Sequence, residues 1–210
     1  MAAIVQKVVT SGTFELDGGS WDVDNNVWLI GDENEVLVID AAHDAAAIRD
    51  AVGDRKLLGI VSTHAHNDHV NAAPELSRAT GAPVYLHPAD QVLWALTHPD
   101  YAADEELADE QELEVAETRL RVIHTPGHAP GAVCLYAPTL GILFSGDTLF
   151  NGGPGATGRS YSDYRQLVGS IKERLFGLPD ETRVHTGHGE STTIGAEKAG
   201  SARWVSPASQ

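Results

Sequence analysis

Cysteine and methionine are nearly absent from the 210-residue chain, with one of each, so no internal disulfide can hold the fold. Basic residues are scarce: Lys and Arg total 14 against 30 Asp and Glu, a formal charge of −16. That balance argues against nucleic acid or an anionic membrane as partner, because both are met by clustered Lys and Arg. No run of 18 or more apolar residues occurs, which removes a transmembrane helix. The first nine residues, Met1 to Val9, carry no basic segment ahead of an apolar stretch, so the expected compartment is the cytoplasm. Internal repeats, low-complexity tracts and Pro/Ser-rich linkers are also missing. One domain over residues 1–203 is therefore expected, with 204–210 as a C-terminal tail. The 42% of hydrophobic residues suffices for a sizeable core.

Apolar runs with β-branched residues predict strands over 4–10, 27–30 and 35–39, punctuated by Gly18-Gly19 and by the polar residues 31–34. Asp44 can cap a helix over 45–52 that Gly53 stops. A fully apolar strand over 57–62 runs into a histidine-rich loop. A helix over 74–80, closed by Gly81, and a strand over 84–86 follow. Residues 100–117 are very acidic and read as a solvated face. Within and after them, 112–115 and 119–124 alternate as a hairpin about Ala116-Glu117-Thr118. Two more strands are expected over 132–136 and 142–145. Ser162 or Asp163 can cap a helix whose Tyr164, Leu167, Val168, Ile171 and Leu175 form one stripe. Strands alternating with helices in both halves suggest layered sheets with helices outside, an α/β fold.

What the chain has in abundance is histidine, ten residues. The loop after the 57–61 strand reads Thr63-His64-Ala65-His66-Asn67-Asp68-His69. Random placement at this composition would give the spacing H-x-H-x-D-H in roughly two chains per thousand, so it is a strong signal. In an extended segment His64 and His66 point to the same side and can reach one metal ion. If the chain then turns into a helix, Asp68 and His69 are redirected toward a second point nearby. Imidazole and carboxylate without thiolate suit Zn, Fe or Mn in an open, catalytic site. Three further loops offer ligands: Thr125-Pro126-Gly127-His128, Phe144-Ser145-Gly146-Asp147-Thr148, and Thr186-Gly187-His188-Gly189.

The ordered set His64-x-His66-x-Asp68-His69, His128, Asp147, His188 resembles the metallo-β-lactamase fold superfamily. The text around it, including Phe144 to Phe150 and Gly187-His188-Gly189, resembles the glyoxalase II-like, single-domain branch. The resemblance spans about residues 25–200. It implies a four-layer αββα sandwich with the site at one edge between two sheets. It also implies His64, His66 and His128 on one metal, Asp68, His69 and His188 on a second, and Asp147 bridging. Glyoxalase II carries an added C-terminal helical domain, and this chain ends too soon to hold one. The loop Asn151 to Tyr161 differs from the glutathione-binding version and is similar to actinobacterial relatives associated with mycothiol conjugates.

The other histidines are read differently. His124 could orient the His128 loop, and His43, His87, His98 and His185 are expected to be non-ligands. Asp40, closing an apolar strand, is expected to hydrogen-bond the ligand loop. Cys134, mid-strand among apolar residues, is expected to be an inert core residue.

The expected activity is metal-dependent hydrolysis of a small-molecule thioester, the S-acyl derivative of a small thiol. The expected cofactors are two divalent transition-metal ions, Zn first, with Fe or Mn as alternatives. Such a pair lowers the pKa of a bridging water, so hydroxide is available at neutral pH, and Asp68 then orients the nucleophile as well as holding metal. Arg159, Tyr161 and Tyr164, which follow the Asp147 loop, are the candidate substrate contacts. The competing readings are a persulfide dioxygenase with one Fe on the histidine triad, a lactonase or phosphodiesterase of the same fold, and a non-catalytic metal-holding protein. Nuclease relatives add a nucleic-acid-binding domain that neither the length nor the charge supports. Oligomeric state is not written in the sequence.

Overall fold

The structure, a computed structural model, describes residues 3–204. A first six-stranded sheet takes β1 (Ile4–Leu16), β2 (Gly19–Gly31), β3 (Glu35–Ile39), β4 (Lys56–Val61), β5 (Val84–Leu86) and β6 (Glu105–Glu106), side by side in chain order. β1, β2 and β3 are antiparallel neighbours, and β3 to β6 run parallel. Helices α1 (Ala45–Val52), α2 (Asn67–Val70), α3 (Ala73–Thr80) and α4 (Gln91–Thr97) are threaded between them. The chain continues through β7 (Glu112–Val115), β8 (Thr118–His124), β9 (Val133–Ala137) and β10 (Ile142–Gly146). A small pair, β11 (Leu149–Phe150) and β12 (Gly153–Pro154), precedes helix α5 (Tyr164–Ser170). β13 (Arg183–Thr186), β14 (Thr192–Thr193) and α6 (Ile194–Gly200) complete it. The second sheet has the order β14-β13-β10-β9-β8-β7.

Alternation along the strands separates the layers, because successive side chains point to opposite faces. Val27, Leu29, Val36 and Val38 pack outward against Ile48, Leu76 and Trp94 of the first helices. Their neighbours Trp28, Ile30, Leu37 and Ile39 pack inward against Leu120, Val122, Leu135 and Phe144 of the second sheet. Ile123, Cys134 and Leu143 point the other way again, onto Leu167, Ile171 and Leu175. Three apolar interfaces make four layers, α, β, β, α, as the resemblance implies.

The hairpin of β1 and β2 is much longer than its apolar runs predict, thirteen residues on each strand. Its two-residue turn is Asp17-Gly18, both at positive φ (53° and 76°), the primed geometry that matches strand twist. The distal part is apolar on one face, where Phe14 stands opposite Trp21 with Leu16 and Val23 alongside, and polar on the other, where Ser11 pairs with Asp24 and Thr13 with Asp22. Helix α4 was also silent in the sequence, burying only Leu93 and Trp94. The helix stripe of α5 crosses a change of pitch, with a π-helical turn over Ile171–Leu175, yet Leu167, Ile171 and Leu175 stay fully buried.

The second hairpin turns on Ala116-Glu117 alone, and Thr118 already pairs with Val115. The acidic stretch is solvated at Glu105 and Glu106, but two of its carboxylates are structural. Asp104 accepts the Val84 N–H at 2.9 Å, and Asp109 pairs with Arg174 at 2.8 Å. Trp204, expected in the tail, packs on Phe176 with ring centroids 5.7 Å apart; 205–210 lie outside the described residues. Among the described residues no helix is long and apolar enough to cross a membrane.

Ile171 is fully buried, whereas Lys172 is exposed. Ile171→Ala should therefore cost about 2–4 kcal/mol of unfolding free energy and Lys172→Ala less than about 0.5 kcal/mol, read by urea titration.

Candidate metal centre

The chain leaves β4 through Ser62 and Thr63, and this exit is clamped. Asp40, at φ 57° beyond β3, accepts the Thr63 N–H and the Thr63 hydroxyl, each at 2.7 Å. His66 is still extended (φ −63°, ψ 144°), and α2 begins at the next residue. The segment thus splits as its spacing suggests: His64 and His66 face one point, and Asp68 and His69 another.

The loops carrying His128, Asp147 and His188 meet it there. Nitrogen atoms of His64, His66 and His128 gather in one group, with His66 Nδ1 3.0 Å from both His64 Nε2 and His128 Nε2. Asp68, His69 and His188 form a second, with His69 Nε2 3.2 Å from His188 Nε2 and Asp68 Oδ2 3.3 Å from His188 Nε2. Asp147 lies between them: Oδ1 is 3.3 Å from His69 Nε2, and Oδ2 is 3.6 Å from His128 Nε2 and 3.5 Å from His188 Nε2.

Outward hydrogen bonds decide which ring nitrogen faces inward. His128 Nδ1 donates to the Ala156 carbonyl at 2.8 Å, and His188 Nδ1 to the Asp24 carbonyl at 2.7 Å. His69 Nδ1 donates to Asp40 at 3.0 Å. Thr63 Oγ1 gives its proton to Asp40 and so accepts from His64 Nδ1 at 3.2 Å. In its neutral form each of these rings is left with a lone pair on the nitrogen facing the cluster. Three imidazole nitrogens in tetrahedral contact with one Zn would stand about 3.3 Å apart, near the spacing seen. Hydrogen bonds alone cannot reconcile the first group, since at most His66 Nδ1 has a proton to share. Asp68 Oδ1 is likewise buried without a hydrogen-bond partner. The residues fit a pair of cations.

Electrostatics divides the two groups. Burial pulls His64 and His128 below the ordinary imidazole range and His66 to about 3, keeping all three neutral. Around Asp147 burial works against the charged forms and is outweighed. Asp147 is held well below the usual carboxylate range by His69 and His188, while His188 is raised to about 10 by Asp147 and Asp68. This field favours positive charge. Close approach also depends on Gly187: a Cβ there would overlap Asp147 Oδ1 and lie 2.6 Å from His69 Cε1.

A narrow pocket opens onto this cluster, lined by Phe14, His66, His128, Ala156, Thr157, Arg159, Ser160 and Ser162. Of the three substrate contacts expected from sequence, Arg159 reaches it, its guanidinium 3.7 Å from the Trp21 ring centre. Tyr161 is 48% exposed and does not line the pocket. Tyr164 lines a neighbouring groove with Phe150, Gly152 and Trp204.

The remaining histidines are occupied elsewhere. His185 stacks on Trp28 at 4.2 Å, His98 Nε2 bonds the Val70 carbonyl at 3.0 Å, and His87 stacks on His124 at 4.1 Å. His124 Nε2 donates to the Pro130 carbonyl at 3.0 Å, inside the His128 loop. Cys134 is fully buried and burial pushes its thiol up to about 11.

Several supporting residues were missed. Asn25 contacts Asp68 at 3.1 Å, and Phe14 meets the His66 ring edge-on at 5.2 Å. Asp90, fully buried, accepts the Ala65 N–H at 2.7 Å and the Gly131 N–H, tying the two histidine loops together. Asn25 stands just ahead of the strand expected over 27–30, and Asp90 lies in a stretch for which the sequence suggests no element. The signal available was an Asp in front of an apolar segment, which marks a helix N-terminus more often than a clip.

The Metallo-beta-lactamase superfamily profile matches residues 21–188. The chain is 32% identical to the hydroxyacylglutathione hydrolase GloC of Haemophilus influenzae, over 80% of this chain and 86% of that protein. It is 37% identical to a hydroxyacylglutathione hydrolase of Methylobacillus flagellatus, over 79% of this chain but 62% of that one. Among solved structures it is similar to TTHA1623 in a di-iron-bound form (TM-score 0.75, 34% identity, 84% of this chain and 93% of that one). The BLEG-1 B3 metallo-beta-lactamase gives TM-score 0.75 at 30% identity, covering 90% of this chain and 97% of that one. ETHE1 from Myxococcus xanthus gives 0.72 at 28%, covering 92% and 84%.

One measurement checks the centre and a second checks the packed histidine beside it. Folded His66→Ala should lose metal from the three-histidine group, whereas His87→Ala should keep its metal content within error, both by elemental analysis. In the metal-free chain His185, lowered by burial from 6.5 to about 4, is neutral when folded and takes up a proton on unfolding. Its contribution is full above pH 6.5 and is lost as pH falls toward 4, so His185→Gln should flatten the acid side of the stability profile in that window.

Proposed function

Since the chain belongs to the metallo-β-lactamase superfamily, we propose that it is a two-metal hydrolase that cleaves a thioester, the S-acyl derivative of a small thiol. The observation that carries this reading is the reach of Asp147 into both groups, 3.6 Å from His128 and 3.3 Å from His69. His64, His66 and His128 would hold one ion and Asp68, His69 and His188 the other, with Asp147 shared. When bound, two divalent transition metals acidify a water and polarise a substrate carbonyl. Zn is the first choice, and the di-iron form of a similar protein keeps Fe in view.

The chain's own residues then set the chemistry. Asp68 directs Oδ2 at His188, and its unpartnered Oδ1 would be able to accept a hydrogen bond from a water held at the site. With all seven side chains holding metal, none of them would be a proton donor for a basic leaving group. A thiolate leaves without one, which an amine does not. The acyl group would enter at the narrow pocket over His66 and His128, and Arg159, standing on Trp21, would pair with a carboxylate of the thiol carrier. The names of the two hydroxyacylglutathione hydrolases point to the same class. Mycothiol and glutathione conjugates are the carriers to compare. The partner is thus a small molecule, and a charge of −16 speaks against nucleic acid or an anionic membrane.

A second reading is favoured by the likeness to ETHE1: persulfide oxidation at one Fe on His64, His66 and His128. The experiment separates them. A preparation with two metals per chain should release free thiol from S-acyl thiols, consume no oxygen with a persulfide, and leave β-lactams intact. One Fe per chain with oxygen uptake, or β-lactam turnover matching thioester turnover, would overturn the proposal. Asp147→Asn, whose amide is neutral and cannot bridge two cations, should lower kcat/KM on the thioester by at least ~100-fold.

A further inference from the structure

Asp68 has a neighbour that the ligand set does not explain. Asn25 is fully buried on β2, and its Nδ2 donates to Asp68 Oδ2 at 3.1 Å. Its Oδ1 faces His43 Nε2 at 2.9 Å. His43 Nδ1 in turn faces Asn71 Nδ2 at 3.0 Å, and Asn71 Oδ1 accepts the His43 backbone N–H at 2.6 Å.

The direction of every link follows from the last one. A backbone N–H can only donate, so the Asn71 end that meets it is the oxygen. Asn71 then presents its NH2 to His43 Nδ1, which must accept. The His43 proton therefore sits on Nε2 and is given to Asn25 Oδ1. That leaves the Asn25 NH2, and not its carbonyl, against the Asp68 carboxylate. His43 takes a left-handed backbone (φ 60°) to reach this place, and a Cβ at Gly12 would lie 2.6 Å from His43 Cε1. Room has been left for the ring.

We propose that Asn25, His43 and Asn71 form a positioning relay that fixes the Asp68 carboxylate toward the second metal group. A reversed Asn25 would set its carbonyl oxygen against that carboxylate, and the His43 proton prevents the reversal. The first group, His64, His66 and His128, has no link to the relay. This inference rests on the two-metal reading above. The relay acts through Asp68 and touches no substrate.

The test is metal binding without substrate: Zn(II) titration of the metal-stripped chain against a competing chelator. The wild type should take up two ions in separable steps, and His188→Ala identifies the step that belongs to Asp68, His69 and His188. Asn25→Ala should weaken that step by about 10–100-fold and the other by less than about 3-fold. His43→Phe, which never touches Asp68, should weaken the same step by about 5-fold or more. His43→Gln, which keeps an amide N–H for Asn25, should recover to within about 3-fold of wild type. Circular dichroism confirms folding, and the His43 pair decides the matter should Asn25→Ala fail to fold. Unchanged binding in these variants, or equal weakening of both steps with a lowered Tm, overturns the relay. A chain that binds two ions as described but cleaves no thioester counts against the proposed function alone. A wild type that holds a single ion at the three-histidine group overturns both.

Discussion

The fold has to hold lone pairs against one another. His64 and His128 each bring a nitrogen to 3.0 Å of His66 Nδ1, and Asp68 and Asp147 crowd the same volume, all of it buried or nearly so. In a low-dielectric interior such a cluster is costly unless cations neutralise it. What keeps the groups in place is a set of outward bonds: Ala156 and Asp24 carbonyls, Asp40, and Thr63 each anchor one ring. These anchors lie on four different segments, so the sandwich as a whole is the scaffold of the site.

The layering follows from that need. β4 and β10 lie in different sheets, and their ends must meet for His64 and Asp147 to share a neighbourhood. The apolar contacts of Trp28, Ile39, Val122 and Phe144 bring the sheets together just below the site. Gly187, without a side chain, lets the loop after β13 close over Asp147. Packing places the loops, and hydrogen bonding then aims the atoms.

Much of this was legible in the sequence, for identifiable reasons. The dense H-x-H-x-D-H loop followed a wholly apolar strand, and α1 and α3 had caps at Asp44 and Gly81 that the structure reproduces. The hairpin tip was not legible, because its apolar face holds only Phe14, Leu16, Trp21 and Val23, broken by Gly12 and Gly19, too sparse to stand out from the polar Ser11, Asp22 and Asp24 on the other face. Closeness in sequence to Asp147 does not fix direction: Arg159, Ser160 and Ser162 line the pocket, whereas Tyr161, at φ 69°, is exposed and Tyr164 lines the neighbouring groove. Asn25 escaped notice because a lone amide before an apolar strand has no characteristic spacing; its meaning depends on a partner 43 residues away.

Asp90 shows why such supports matter more than their anonymity suggests. It is fully buried, and burial raises it to about 6 despite two backbone N–H donors, those of Gly131 and Ala65. A carboxyl raised above its unfolded value contributes most in its protonated form, fully below about 4, and less as pH rises through 6. His185 behaves oppositely, contributing fully above 6.5 and losing its share as pH falls toward 4. The metal-free fold is therefore pulled in two directions across the mildly acid range. Asp90 nevertheless bonds the amide between His64 and His66 and an amide three residues past His128. The three-histidine group thus rests on a carboxyl whose burial works against its charge, and only a fold with reserve in its apolar layers can keep one there.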